Sequence, residues 1–466
     1  MGKKLLAFAL VGVLTTATPL GAQGVPSHLL PCPDCNPPKR FGPAFGELMI
    51  VQLVPFSVNH FLRDAEWADV SPSTWATNIE NPWVWDNNKF LNNQFSHPYH
   101  GNLYFNAART NGYNFWESVP WAFGGSLMWE WFGEAWAPSP NDWFNTSLGG
   151  ITLGEMLFKV SSLTLDNTAT GSERTFREIG ATLLNPVRGF NRLVRGQMND
   201  VVANPPDWRP SRIFASFDVG VRSATGGDNR GRSGTTEVGF VQAVLFYGDH
   251  VADLGKAPFS AFHVGFEIAT EKQGERGRFA RLTARGNLGA HELSKSERTQ
   301  HQLAAFMIYE FLSTQAVEFG GQGFQGGVVS RWGDPHGFRI QSELLADGYP
   351  IVATQSDNFV TLEGRDYDYG VGLGGNASLA AIWEGVGAIQ ARGRMLWEPI
   401  ISGFNGDHYQ YAASLEGRLY FRGRIGIGAS ATWYHRKSVY DDFADVSADG
   451  TQIRAYASLA VPRWQP

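Results

Sequence analysis

The chain has few cysteines, few charged residues and no excess of positive charge. Only 2 of its 466 residues are cysteine, which excludes a four-cysteine zinc site. Charged residues make up 18% of the chain, where about 25% is typical of soluble domains. The formal net charge of −6 provides no basic surface for nucleic acid. A slightly negative mean hydropathy excludes a polytopic helical membrane protein, so a large soluble enzyme and a β-barrel with alternating faces remain.

Residues 1–23 have the three parts of a secretory signal peptide. Two lysines precede an apolar run from Leu5 to Leu14, and small residues lead to a cleavage position near Ala22 or Gln23. An anchored helix is the alternative, but the apolar run is shorter than the roughly 20 residues that a spanning helix needs. We therefore expect the mature protein to lie outside the cytoplasm.

Residues 24–44 are rich in proline and have no hydrophobic periodicity, which predicts a linker. The two cysteines of the chain, Cys32 and Cys35, stand in this segment. No strand–helix pattern surrounds them, as a thioredoxin-like redox motif would require. In an oxidising compartment they are expected to form a small loop disulfide.

The composition and pattern of residues 45–205 predict an aromatic-rich helical domain. Ten of the 16 tryptophans of the chain lie between Trp67 and Trp143. The stretch Tyr104–Trp136 is apolar on several faces, and we interpret it as two helices with a break near Gly124. Charged residues interrupt the stretch, so no window within it supplies the roughly 20 apolar residues of a spanning helix.

Residues 206–466 change to a hydrophobic repeat of two. In Arg212–Arg222, alternate residues from Ile213 to Val221 are apolar and those between them are polar or small. Segments of about ten residues or more with this pattern recur between turn sequences, to a count of roughly twelve. Aromatic residues stand near the segment ends, as they do at membrane–water interfaces: Tyr247, Trp332, Trp397, Trp433 and Trp464.

These patterns predict an α+β protein, with an N-terminal helical domain followed by an antiparallel outer-membrane β-barrel of about 12 strands. A periplasmic β-sandwich is the alternative, because soluble sandwiches also alternate. A barrel of this size is expected to be filled rather than open. Arginines such as Arg418 and Arg454 would line the lumen, where they could attract anions or pair with glutamates such as Glu267 and Glu416.

Several motifs of the helical domain resemble a known family. The motifs are His97–Gly101, Ala108–Tyr113, Phe115–Glu117, Trp129–Glu134 (WEWFGE) and Gly154–Glu155. Together they are similar to a bacterial family known as domain of unknown function 3943, over roughly Asn81–Gly180. Because that family is uncharacterised, the resemblance implies no catalytic residue, substrate or cofactor.

Four residues of these motifs are candidates for acid–base chemistry: His97, His100, Glu130 and Glu134. The two histidines are three residues apart near the start of a predicted helix. The two glutamates are four residues apart, which predicts both carboxylates on one helix face. This set could also bind a metal such as zinc, although its spacing lacks the compact HExxH pattern. Candidate nucleophiles for an ester hydrolase are Ser96, Ser118 and Ser126.

Five further polar residues are candidates for binding: Arg109, Asn111, Tyr113, Glu117 and Glu155. The alternative for all nine is a structural role, because buried carboxylates pair with arginine. Under that hypothesis Arg109 pairs with Glu130. Likewise, Arg174 and Arg177 would pair with Glu155.

Three functional hypotheses remain open. The first is an outer-membrane barrel whose helical domain has an envelope or lipid-related role, since tryptophan and tyrosine favour wet–apolar boundaries. The second is an envelope hydrolase or acyltransferase that acts on lipid, with His97 or His100 as base and Glu130 or Glu134 as its orienting partner. The third is a channel or structural barrel with the helices as a plug. The expected partners are outer-membrane lipid and other envelope proteins, with no nucleic acid.

Overall fold

The computed structural model describes residues 30–231, 233–270, 278–313, 318–421 and 424–461. The predicted signal peptide lies outside these residues. The chain forms two compact units. The helical unit comprises the chain up to Asp86 and Phe95–Arg209, and the barrel unit comprises Asn87–Gln94 and the chain from Pro210 onward. The short segment Asn87–Gln94 therefore belongs to the barrel, although it lies within the predicted helical domain.

Eight α-helices form the described part of the helical unit. They are α1 (Phe41–Ser57), α2 (Pro72–Glu80), α3 (His97–Arg109), α4 (Phe115–Met128), α5 (Pro140–Phe144), α6 (Gly150–Thr164), α7 (Gly171–Leu184) and α8 (Pro186–Val194). Wider, π-helical turns extend α1 over Val58–Leu62 and α4 over Trp129–Gly133, and others stand before α3 and α6 over Asn92–Ser96 and Asn145–Gly149. Short 3-10 turns occupy Glu66–Ala68, Gln197–Asn199 and Pro206–Trp208. Upstream of α1, a disulfide joins Cys32 to Cys35.

Two boundaries differ from the sequence expectations. Helix α1 begins at Phe41, inside the predicted linker, and with its π turn it is the one helix of the described residues that is long and apolar enough to cross a membrane. Helix α4 runs without a break through Gly124. The chain reverses before α4 instead, where Gly112 has a φ of +88° and Asn114 caps the new helix by accepting a hydrogen bond from the Glu117 backbone N–H at 3.0 Å.

The barrel unit is a closed barrel of twelve antiparallel strands, as the sequence predicts. Each strand pairs with its neighbours in the chain, and β1 closes the barrel by pairing with β12. The strands are β1 (Ile213–Asp228), β2 (Ser233–Tyr247), β3 (Phe262–Thr270), β4 (Arg278–Lys295), β5 (Thr299–Ser313), β6 (Glu318–Gly333), β7 (Phe338–Gln355), β8 (Tyr367–Trp383), β9 (Gly387–Ser402), β10 (Gly406–Phe421), β11 (Ile425–Tyr440) and β12 (Val446–Val461). The barrel begins at Ile213, a few residues after the predicted boundary at 206.

The outer face of the barrel is apolar and its inner face is polar, because side chains alternate along each strand. On β10, Leu415 and Leu419 are exposed on the outside, whereas Glu416 and Arg418 between them form an ion pair at 2.7 Å. Arg418 also contacts the buried Asp218 of β1 at 3.1 Å. Further ion pairs follow the same inner face: Arg454 with Glu267 at 2.7 Å, Arg285 with Glu343 at 2.6 Å and Arg394 with Glu310 at 2.9 Å. These four lumen arginines are thus paired with acidic residues.

Exposed aromatic residues form two belts around the outside of the barrel. Towards one end they are Trp332, Phe338, Trp383 and Phe421, and towards the other end Trp397, Tyr411 and Trp433. Tyr411 and Phe421 lie on the same face of β10, ten residues apart, which is about 25 Å along the axis of a barrel with strands tilted by about 40°. Tyr247 differs from expectation, because it is buried and stacks on Phe262 at 4.6 Å. Trp464 lies outside the described residues.

Candidate functional site

The family motif around His97–Gly101 lies where α3 crosses the start of α6. A Cβ atom at Gly101 would overlap the carbonyl oxygen of Thr146, and one at Gly150 would overlap the backbone of Gly101. The two helices therefore touch backbone to backbone, which glycine alone permits. This crossing fixes the position of the histidine that stands one turn before Gly101.

His97 lies between an acid and a hydroxyl. Its Nε2 is 3.6 Å from Oδ1 of Asp142, and its Nδ1 is 3.2 Å from Oγ1 of Thr146. Burial lowers the pKa of His97, and the nearby Asp86 opposes that shift. The acidic neighbour is thus an aspartate of α5 rather than Glu130 or Glu134.

The carboxyl groups of Asp86, Glu130, Glu134 and Asp142 lie close enough to affect one another, and we call them the acidic cluster. Glu130 stands in the π turn that ends α4, where its Oε2 accepts a hydrogen bond of 2.8 Å from the Ser139 backbone N–H. Glu134 follows the end of that turn in an extended conformation. The expectation that one helix face presents both carboxylates is therefore wrong, because the helix ends at Gly133. Glu130 and Glu134 are nevertheless electrostatic neighbours.

Burial is the first cause of the raised pKa values in the acidic cluster. It raises the pKa of Glu130, with repulsion from Glu134 and Asp142 added to it. It raises the pKa of Glu134 to about 8, with a further contribution from Asp86. Burial also raises the pKa of Asp142, with repulsion from Asp86 and Glu134 added to it. With a pKa of about 8, Glu134 holds its proton at neutral pH and acts as a neutral carboxylic acid.

His100 is separate from this cluster and is packed as a structural residue. Its Nε2 donates a hydrogen bond of 3.3 Å to the backbone carbonyl of Val51. Its ring lies against Tyr104 at 4.7 Å and Trp129 at 5.4 Å between ring centres. Burial lowers the pKa of His100 to about 4, so the imidazole is neutral at physiological pH.

The binding candidates contribute mainly to the packing of the helices. Arg109 makes a two-pronged contact with the buried Glu155, at 2.8 and 3.2 Å. The predicted pairing of Arg109 with Glu130 is therefore wrong. The amide of Asn111 donates to Oε2 of Glu47 at 2.8 Å. Tyr113 accepts a hydrogen bond from Arg109 at its backbone carbonyl, at 3.2 Å.

The remaining predicted residues have local partners as well. Glu117 caps α4 and forms an ion pair of 2.5 Å with Lys39 at the surface. The predicted pairing of Arg174 and Arg177 with Glu155 does not form. Arg174 contacts Glu178 at 2.9 Å, and Arg177 contacts Glu173 at 2.9 Å, each within its own helix.

The arrangement places buried carboxyl groups beside a histidine, but its geometry for nucleophilic catalysis is incomplete. The hydroxyl beside His97 belongs to the buried Thr146, and Ser118 donates instead to the backbone carbonyl of Asn114 at 2.8 Å. Within the described part of the chain, no group of three or more His, Cys, Asp or Glu side chains has the geometry to hold a metal ion. Asp142 was missed from the sequence, although Ser139 and Pro140 before it mark a helix start with an acidic third position.

A second candidate site is one end of the barrel lumen, where Asn87–Gln94 is inserted. The side chain of Asn93 donates to the Tyr367 hydroxyl at 2.9 Å, and the Tyr309 hydroxyl donates to the backbone carbonyl of Gln94 at 2.6 Å. The Phe90 ring lies 5.4 Å from that of Phe311. A Cβ atom at Gly320 would stand 2.5 Å from Oε1 of Gln94. The glycine of β6 therefore makes room for the inserted segment.

The other end of the lumen is occupied by the loop between β2 and β3, residues 248–261. Leu254 and Phe259 of this loop are fully buried, and Leu254 belongs to a cluster with Phe306 and Leu345 of the barrel wall. The side chain of Asn287 donates to the backbone carbonyl of Leu254 at 3.0 Å. The two inserted segments therefore lie at opposite ends of the lumen, with the ion pairs of the inner face between them.

Residues 82–187 match the sequence model of a family described as "Domain of unknown function (DUF3943)". This segment carries that domain. The match confirms the resemblance drawn from the motifs around His97–Glu155. No curated protein matches the chain.

Solved structures with some similarity to the chain are barrels. An outer membrane channel from Pseudomonas putida F1 is 10% identical over 54% of this chain and 96% of its own, with a TM-score of 0.31. The Pseudomonas putida toluene transporter TodX is 8% identical over 55% of this chain and 90% of its own, with a TM-score of 0.23. A Pseudomonas aeruginosa FadL homologue is 8% identical over 54% of this chain and 92% of its own, with a TM-score of 0.24. Similarity at this level says nothing about what this chain binds or transports.

Proposed function

We propose that the protein is an outer-membrane barrel with a filled lumen, which holds a helical domain of lipid-related function in the bacterial envelope. The observation that carries this proposal is the apolar outer face between two aromatic belts. Its height of about 25 Å matches the lipid-facing band of outer-membrane barrels. A soluble barrel would expose this much apolar surface to water at a large cost in free energy.

Exposed apolar residues on α7 and α8 support the lipid-related part of the proposal. Phe176, Ile179 and Leu183 lie on one side of α7 and are 72%, 51% and 60% exposed. On α8, Leu193 and Val194 are 64% and 68% exposed. Contiguous apolar surface on a folded domain marks a site of contact with lipid or another protein.

The full-length protein is expected to fractionate with outer membranes and to migrate faster on gels before boiling than after it. A barrel closed by twelve paired strands keeps its compact shape in detergent until heat breaks the pairing. The measurement is cell fractionation followed by electrophoresis of unboiled and boiled samples. A freely soluble protein whose migration does not change on boiling would contradict the proposal.

The filled lumen predicts no steady ion conductance from the intact protein in planar bilayers. Because the two inserted segments close opposite ends, a Phe90→Ala and Gln94→Ala double variant should stay silent. A variant with residues 249–260 replaced by a short turn should also stay silent, whereas the two changes together should conduct. Heat-modifiable migration of each variant is the control for folding. A steady pore in the unmodified protein would favour the channel alternative.

A further inference from the structure

Helix α1 and its π turn, Phe41–Leu62, expose an apolar face, whereas a surface helix of a soluble protein exposes a polar face. The polar side chains face the protein. Glu47 is buried and accepts a hydrogen bond of 2.9 Å from the Asn191 amide, and Gln52 is buried and donates to the Gly125 backbone carbonyl at 2.7 Å. Ala44 and Leu48 also pack inward, whereas the large side chains that face outward are apolar, which is the arrangement that helices adopt in lipid.

The outward face of Phe41–Leu62 is apolar along its whole length. Its exposed side chains include Phe41 at 64%, Leu53 at 52%, Val54 at 56% and Phe61 at 73%. Only 22% of its most apolar stretch is buried, so the segment is not the core helix of a soluble fold. At about 1.5 Å per residue its 22 residues extend about 33 Å, close to the roughly 30 Å of a bilayer's hydrocarbon.

Charge is placed at the two ends of this segment. Among residues 41–62 only Glu47 carries a formal charge, and it is buried. Lys39 and Arg40 precede the segment, and Arg63 follows it beside Asp64; all four are exposed, and Lys39 pairs with Glu117. Basic residues at both ends complement the phosphates of two lipid headgroup layers.

We propose that the outward face of Phe41–Leu62 contacts the hydrocarbon of a lipid bilayer, as a membrane-embedded element in addition to the strands. This inference rests on the proposed membrane role. The neighbouring helix α4 with its π turn, Phe115–Gly133, is also suited to contact with lipid. Its charged residues are only Glu117 near its start and the buried Glu130 near its end. The occupant of this surface is lipid rather than a second protein.

The test is spin labelling of the full-length protein in phospholipid vesicles. Single cysteines are introduced at Leu53 and, as a second position on the same face, at Phe45. The native Cys32–Cys35 disulfide does not react with the label. Leu415, exposed on the outer face of β10, is the lipid reference, and Glu297, exposed in the turn between β4 and β5, is the water reference. Collisions with oxygen report lipid, and collisions with a water-soluble nickel chelate report water.

We expect the labels at Leu53 and Phe45 to resemble the label at Leu415, with high oxygen and low nickel accessibility. If they resemble the label at Glu297 while Leu415 reports lipid, the inference is wrong and the barrel proposal stands. If Leu415 itself reports water, the barrel proposal fails. Shielding of Leu53 from both reagents, or spin–spin broadening between copies, would show a protein partner and would also overturn the inference.

Discussion

Gly101→Ala is expected to destabilise the helical unit by more than about 3 kcal/mol, or to prevent its folding. The added methyl group would overlap the Thr146 carbonyl oxygen, and both α3 and the turn before α6 present rigid backbone at that point. The measurement is urea unfolding followed by tryptophan fluorescence, which reports mainly the helical unit because ten of the 16 tryptophans lie between Trp67 and Trp143.

Gly124→Ala is the matched control for this prediction. Gly124 is also inside a helix, but a Cβ atom there would meet no other atom within 4 Å. Alanine favours the helical conformation over glycine by up to about 1 kcal/mol, so this variant should be neutral or slightly more stable. Equal destabilisation by the two variants would mean that the crossing of α3 and α6 is not as close as the structure has it.

The stability of the helical unit is expected to fall as the pH rises from about 6.5 to about 8. The pKa of Glu134 is about 8 in the folded protein, against an ordinary value of 4.5. In this window the unfolded chain has lost the proton that the folded protein keeps, so each increase in pH favours the unfolded state. The loss levels off above the folded pKa. Because Glu134 is half-buried and partly screened by water, we expect about 2 kcal/mol in total.

Glu134→Gln should flatten this pH dependence, because the amide keeps the size of the acid and does not ionise. Glu173→Gln, at the surface of α7, is the control and should leave the slope unchanged. The same urea titrations supply the measurement. A slope that survives in both Glu134→Gln and Glu130→Gln would contradict the assignment of raised pKa values to the acidic cluster.

His100 contributes a slope of the opposite sign below this window. The pKa of His100 is about 4 in the folded protein, so between about pH 6.5 and pH 4 the unfolded chain binds a proton that the buried imidazole does not. This contribution lowers the stability as the pH falls, and down to about pH 4.5 it opposes the contribution of Glu134, whose ordinary pKa is 4.5. Restricting the glutamate experiment to pH values above about 6.5 keeps the two effects apart.

Local patterns in the sequence predict the barrel well. Alternation is a property of neighbouring residues, so the repeat in Arg212–Arg222 and its successors already fixes which side chains face outward. The inward position of Arg418, Arg454, Glu267 and Glu416 follows from the same alternation. Of the two roles expected for the lumen arginines, Arg418 and Arg454 have the second, which is pairing with glutamate. The family resemblance depends equally on contiguous residues, and the match over residues 82–187 confirms it.

The sequence was less informative about the helical unit. Helix α1 was missed because its N-terminal part lies in a proline-rich stretch and its polar residues, Glu47 and Gln52, interrupt the apolar run. The spacing of Glu130 and Glu134 predicted one helix face, but the helix ends at Gly133. A local pattern cannot indicate where a helix stops when its end is held by contacts with distant segments.

The sequence by itself therefore determined the division into helices and strands, the number of strands and the two faces of the barrel wall. Only the tertiary structure decided which acid accompanies His97, which acid pairs with Arg109 and how Asn87–Gln94 enters the lumen. These contacts join residues far apart in the chain, such as Arg109 with Glu155 and Asn93 with Tyr367. Which residues become partners depends on how whole helices and strands pack against one another. The hydrophobic repeat within a single helix or strand does not contain that information.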